Sequence, residues 1–130
     1  MKLSSRSKGE IACLKVQIKI YEKNLVPNYP DSNELYYDII IDDPKDSRKL
    51  ARCQIKYCNR LHGQNLELRL DNKKSKRVHY LKTDIKYLLV YVAQKDVVLK
   101  YEQKFFHRKK QIQINLNDEK SPWFFRKFLW

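Results

Sequence analysis

The stretch Tyr37-Asp38-Ile39-Ile40-Ile41-Asp42-Asp43-Pro44-Lys45-Asp46, followed by Leu50-Ala51-Arg52-Cys53-Gln54-Ile55-Lys56-Tyr57, decides how this chain is read. Residues 36–42 are mostly aromatic or β-branched, side chains that suit a pleated surface and predict a strand. Asp43-Pro44-Lys45-Asp46 has the composition of a turn, and residues 50–57 read as a second strand. Alternate residues of a strand share a face, so Gln54 and Lys56 project together. Asp38 leads the strand that faces them. An acid, a neutral oxygen donor and an ammonium are thereby expected on neighbouring strands.

Upstream, Ser7-Lys8-Gly9-Glu10 fits a capping box, in which the Ser side chain caps a helix and the Glu reaches back to the Ser amide. A helix is expected from this point, with Ile11, Leu14, Ile18, Tyr21 and Leu25 as its apolar stripe and Lys15, Lys19 and Lys23 away from it. Val26-Pro27-Asn28 is read as its end and residues 27–34 as a loop. Downstream, alternation of Leu66, Leu68 and Leu70 with Glu67 and Arg69 marks a strand at 64–70, and short links predict that the first three strands form an antiparallel meander. A basic loop at 71–77 precedes a strand pair, 86–92 and 97–101, joined by Ala93-Gln94-Lys95-Asp96, and a last short strand at 111–116. The segment 121–130 is apolar and basic together. Subunit contact is favoured for it over a membrane-surface patch, because a small monomer rarely exposes so much apolar area, with folding back on the core as an equal alternative. No internal repeat is visible, and residues 1–130 are expected to form one domain.

Twenty-eight Lys and Arg against fifteen Asp and Glu leave a net charge of +13, which asks for a partner with dense negative charge. Nucleic acid is the first candidate and an anionic membrane surface the second. No apolar run approaches the roughly 18 residues of a spanning helix. Residues 2–10 lack the apolar core of a signal peptide, so a cytoplasmic protein is expected. Cys13, Cys53 and Cys58 are an odd set without metal-ligand spacing and read as reduced, mostly buried thiols. His62, His79 and His107 are scattered, which argues against a histidine metal site.

The acid and the Gln-x-Lys pair fit the hydrolysis of a phosphodiester, in which water attacks in line, a metal ion activates it and positive groups neutralise the growing charge. A hard cation such as Mg²⁺ takes oxygen ligands. In that chemistry Asp38 is the principal ligand, Gln54 adds a neutral oxygen, and the Ile55 carbonyl is a further donor. Lys56 orients the water or steadies the phosphate, and Glu10 completes the shell directly or through water. Each has a plainer explanation: a turn-adjacent acid, a solvated strand pair and a helix cap. For the nucleic acid itself, Lys73, Lys74, Lys76 and Arg77 form one basic cluster and Arg108, Lys109 and Lys110 another beside Phe105, Phe106 and His107, with Arg69 and Lys49 extending the groove. Such residues suit phosphate contact, with base-edge readout by Arg.

Lys8-Gly9-Glu10-Ile11, Tyr37-Asp38-Ile39-Ile40-Ile41-Asp42 and Cys53-Gln54-Ile55-Lys56-Tyr57 together resemble the helix, acid strand and Q-x-K strand of the PD-(D/E)xK nucleases. The group I intron-associated endonucleases are the most similar subgroup, and Tyr80-Leu81-Lys82-Thr83-Asp84-Ile85-Lys86-Tyr87-Leu88-Leu89-Val90-Tyr91 resembles that subgroup's turn into a hydrophobic strand. The likeness covers about residues 8–116 and leaves the aromatic tail outside. It implies an α/β (α+β) fold with a restriction-endonuclease-like core, in which an N-terminal helix packs on a central mixed β-sheet. It also implies a homing endonuclease that makes Mg²⁺-dependent double-strand cuts in DNA as a homo-oligomer, dimer or tetramer, with Asp38, Gln54, Lys56 and Glu10 catalytic and Asp38, Gln54 and Glu10 on the metal. Two positions depart from the wider pattern. Gln54 stands where most of the superfamily has an acid, although the intron-associated subgroup is similar in having Gln, and Ala12 and Cys13 stand where relatives often place a further acid. A Holliday junction resolvase of the same fold and a DNA-binding protein without catalysis remain alternatives.

Overall fold

The hydroxyl of Ser4, rather than that of Ser7, caps the first helix, α1 (Ser5–Glu22), in a computed structural model that describes residues 2–31, 37–70 and 85–130. Ser4 Oγ accepts the Ser7 N–H at 3.1 Å, the usual bond from an N-cap side chain to the third helical amide. Two serines three residues apart both qualify as caps. The earlier one wins because it adds helical turn and loses nothing: the Ser7 hydroxyl still accepts from Ser4 Oγ at 3.0 Å. Glu10 therefore lies inside the helix, on the Arg6 guanidinium one turn back at 3.5 Å, and the capping box expected for it does not form.

The helix also buries a different stripe from the one expected. Ala12, Val16 and Ile20 are inside, whereas Leu14, Ile18 and Tyr21 are 61%, 55% and 56% exposed. Ala12 and the β-branched pair let the helix lie closer to the sheet than the bulkier Leu14 and Tyr21 would, and close packing gains dispersion contacts.

Among the described residues the strands are β1 (Val26–Asn28), β2 (Ile39–Asp43), β3 (Asp46–Cys58), β4 (Leu61–His62), β5 (Asn65–Arg69), β6 (Tyr87–Val92), β7 (Val97–Glu102) and β8 (Gln111–Asn115). A short helix, α2 (Gln103–Phe106), follows β7, and a 3-10 turn spans Phe125–Phe128. One sheet runs β1-β2-β3-β6-β7 and the other β4-β5-β8. The larger is mixed, since β3 and β6 are parallel while its other pairs are antiparallel. The expected fold class, a helix on a mixed sheet, is what the chain adopts.

Two pairings differ from expectation. Residues 26–28 do not simply end the helix; they form an edge strand on β2, in register Pro27↔Ile41. Proline lacks the N–H that a central strand needs, and an edge tolerates it. The strand at 64–70 leaves the meander and pairs with β8, Leu66 opposite Ile114. The place beside β3 goes to β6, whose residues Leu88 to Val92 are all buried and need cover on both faces, as a parallel central strand has. The β2–β3 and β6–β7 hairpins form as read from the sequence.

The large sheet has a core on each face. α1 covers Ile39, Ile41, Cys53, Ile55, Leu89 and Val98, while the small sheet and the C-terminal segment cover Leu88, Val90, Leu99 and Tyr101. The aromatic tail belongs to this second core, in line with folding back and not with subunit contact. Phe124, Phe125 and Phe128 are buried, and the Phe128 and Tyr101 rings lie 4.4 Å apart. All three cysteines are free, and burial pushes the Cys53 thiol up to about 12 and the Cys58 thiol up to about 11. Neither is a thiolate at neutral pH.

Candidate active site

β2 lies antiparallel to β3 with Ile39 opposite Cys53, and one step before it the Asp38 N–H donates to the Cys53 carbonyl at 2.9 Å. Asp38 therefore stands opposite Gln54. At this point β2 ends, while β3 continues to Cys58 along β6. The Ile55 N–H on the vacated side would lack a strand partner. The Asp38 carboxylate supplies one, with Oδ2 accepting at 2.8 Å. A side chain thus replaces a strand carbonyl, and the bond fixes the carboxylate beside Gln54 and Lys56.

Burial pushes the Asp38 carboxyl above its ordinary range, opposed by the Ile55 N–H and by the Lys56 ammonium. The Gln54 side-chain oxygen is buried and, among the described residues, accepts no hydrogen bond. An unsatisfied buried acceptor costs about 1–3 kcal/mol, and a bound cation or water would remove that cost. A carboxylate that is hard to ionise and an oxygen without a donor, on adjacent strands, both gain from a cation. Lys56, half-buried, shares the Gln54 face and lies within electrostatic reach of Asp38.

Glu10 is exposed and paired with Arg6. The Cys13 thiol is pushed up by burial, then by Asp38, then by Glu10. Among the described residues no three of His, Cys, Asp and Glu converge as a metal cluster. A cation beside Asp38 could take its carboxylate, the Gln54 amide oxygen and the Ile55 carbonyl, with water for the rest. That set fits Mg²⁺, which keeps several waters and takes one or two carboxylates.

Two cations near the site were not singled out in the sequence. The Arg52 guanidinium lies 5.4 Å from the Tyr37 ring centre, and the Lys8 ammonium 6.0 Å from that of Tyr57. Arg52 had a legible signal, since it falls on the alternating face of Gln54 and Lys56.

Lys73, Lys74, Lys76 and Arg77 lie outside the described residues, as does most of the segment 80–85 that contributes to the resemblance. The positions that flank them are informative. Leu70 N–H donates to the Lys110 carbonyl, and Lys86 N–H to the Arg52 carbonyl, each at 2.8 Å. Arg69 pairs with Gln111 at one end of the small sheet, next to Arg108 and Lys110, and Lys86 lies beside Arg52 on the strand of the Asp38 site. Arg69, Arg108 and Lys110 are exposed there, while Lys109 is half-buried with its ammonium 4.4 Å from the Trp123 ring centre. No helix among the described residues is long and apolar enough to cross a membrane.

The fold is similar to that of a bacterial homing endonuclease, I-Ssp6803I, with a TM-score of 0.74 at 16% identity, covering 97% of this chain and 87% of that one. No curated protein matches the sequence. A family model described as PD-(D/E)XK endonuclease matches residues 3–122, nearly the whole chain and all of the site described above. The chain belongs to the PD-(D/E)XK endonuclease family.

Proposed function

We propose that the protein is a cytoplasmic, site-specific endonuclease of the homing type that cuts double-stranded DNA with Mg²⁺. The observation that carries the metal is the buried, unsatisfied Gln54 oxygen beside the Asp38 carboxylate. Asp38, Gln54 and the Ile55 carbonyl hold the ion, which when bound supplies a Lewis acid and lowers the pKa of its water. Asp38 faces the scissile phosphate, Lys56 positions the attacking water or balances charge on the phosphate, and Glu10 acts at most through water. Arg69, Lys73, Lys74, Lys76, Arg77, Arg108, Lys109 and Lys110 are assigned to DNA. The homing character is supported by the neighbouring fold, a bacterial homing endonuclease. The test is to mix the protein and Mg²⁺ with supercoiled plasmid, linear duplex and a four-way junction. Cuts at one discrete duplex site are expected, symmetrical nicks at the junction would replace homing by junction resolution, and no cleavage would leave a DNA-binding protein.

Cutting both strands calls for two active sites, and α1 offers the surface for a second copy. Leu14, Ile18 and Tyr21 form an exposed stripe on one helix face. On a strongly cationic chain this face is nearly neutral, because Arg6 pairs with Glu10, Lys19 with Glu22 at 3.3 Å and Lys15 with Asp96 at 2.9 Å. Nucleic acid gains little there, whereas an identical face meets no net repulsion. The double variant Leu14→Glu with Ile18→Glu is expected to sediment as a monomer under conditions where the wild type is an oligomer. An unchanged mass for the variant would move the interface elsewhere.

A further inference from the structure

The large sheet is stepped. β2 covers one side of β3 as far as Cys53, and β6 covers the other side only from Cys53 onward. Two notches result, on opposite flanks of β3. Asp38 fills the first. The second, next to Lys49 and Ala51, opens as a cavity of about 170 Å³ whose wall includes Lys49, Lys86, Lys100, Tyr87, Trp130 and Asp43.

The cavity is positive on balance, with three lysines against one carboxylate, Asp43. Lys100 Nζ lies 4.7 Å from the Tyr87 ring centre and 5.6 Å from that of Trp130, and Lys86 Nζ lies 5.6 Å from the same Tyr87 ring. The rings hold the ammoniums in place without cancelling their charge. Among the described residues none of the three lysines forms an ion pair. Asp43 is the one carboxylate named in the wall, and its Oδ1 accepts the Lys45 N–H of the hairpin turn at 3.0 Å. Three ammoniums from three parts of the chain around one opening, those of Lys86 and Lys100 held on aromatic rings, make a receptor for an anion with several oxygens. Lysines act on phosphate as point charges and do not demand the planar geometry that arginine imposes.

We propose that this cavity binds a backbone phosphate of the nucleic acid at a position separate from the Asp38 centre. The assignment to DNA rests on the endonuclease reading above. Ala51 precedes Gln54 by three residues, about 10 Å at roughly 3.3 Å per residue, and its side chain projects from the opposite face. The phosphate held here is therefore not the one that is cut. The cavity is tied to the catalytic strand, since the Lys86 N–H is bonded to the carbonyl of Arg52, two residues before Gln54 on β3. Its space equals that of roughly five or six waters, which suits a phosphodiester with bridging water.

Two measurements on the full chain test this, both in an Asp38→Asn background so that DNA is bound without being cut. In the first, affinity for duplex DNA is measured against salt with and without Lys86→Gln plus Lys100→Gln. The logarithmic salt slope is expected to fall by about 0.9 for each phosphate that the protein no longer neutralises. In the second, Trp123→Phe leaves Trp130 as the sole indole, and its fluorescence is followed on adding inorganic phosphate. A saturable change is expected, and its loss in the double lysine variant. A phosphate response with an unchanged DNA salt slope would overturn the DNA assignment in favour of a free phosphate, and no response with an unchanged slope would remove the site altogether. Absence of cleavage by the wild type, with both lysine effects intact, would instead overturn the nuclease reading and leave this DNA contact standing.

Discussion

Replacing Asp38 with Asn is expected to abolish Mg²⁺-dependent cleavage, by at least about a thousandfold, and at the same time to raise the melting temperature. The first effect follows from removing the only carboxylate in the donor set of the proposed metal. The second follows from the folded protein itself. Burial lifts the Asp38 pKa above its unfolded value, so the ionised carboxylate destabilises the fold. That penalty is absent below the unfolded pKa, where the group is protonated in both states. It grows as pH rises above the unfolded pKa and is complete once pH exceeds the folded pKa. Asn does not ionise, and its side-chain oxygen still accepts the Ile55 N–H. The variant should therefore melt higher than the wild type at neutral pH, with the gap closing as the solution is acidified below the ordinary carboxylate range. Added Mg²⁺ should raise the melting temperature of the wild type, because a ligand of the native state stabilises it, and should leave the variant nearly unmoved. Calorimetric melting with and without Mg²⁺ across this pH range reads both effects. An equal Mg²⁺ response in the two proteins would rule out Asp38 as a ligand. Lys56→Ala is expected to lose about a hundredfold or more in cleavage yet to keep the Mg²⁺ response, since an ammonium cannot ligate the ion.

Phe128→Ala should cost about 3–5 kcal/mol of folding free energy. Its ring is buried among Tyr101 at 4.4 Å, Phe105 at 5.0 Å and Trp123 at 6.0 Å, so truncation opens a cavity in the core and removes several aromatic pairings at once. This loss is a large share of the stability of an ordinary domain. The midpoint of urea unfolding should fall accordingly, and by the same amount at different protein concentrations. A concentration-dependent loss would mean that the tail joins subunits, which its burial within one chain opposes.

Hairpins and alternating faces were legible in the sequence because both are local. The Asp43 to Asp46 turn, the shared face of Gln54 and Lys56, and the β6–β7 pair each depend on residues a few positions apart. The partners chosen at long range were not. Alternation marks β5 as a strand with one buried face, but only the three-dimensional competition with β6 sends it to β8. α1 carries two apolar stripes, and the sheet selects the slimmer. Glu10 was assigned to a cap that a second serine, three residues earlier, takes instead. In the site, residue types and strand parity pointed to Asp38, Gln54 and Lys56, whereas the unsatisfied Gln54 oxygen and the bond from Ile55 to Asp38 are properties of the folded chain alone.

The two bonds that Asp38 makes across to β3, one from its amide and one to its carboxylate, also act as a test of alignment. A slip of one residue between β2 and β3 would turn Gln54 and Lys56 into the core under α1 and Cys53 and Ile55 out of it. Both bonds would be lost in the same step. Misaligned chains would thus lose the proposed metal donors by the error that disorders their core, so on that proposal a molecule able to cut has already passed a check on its own folding.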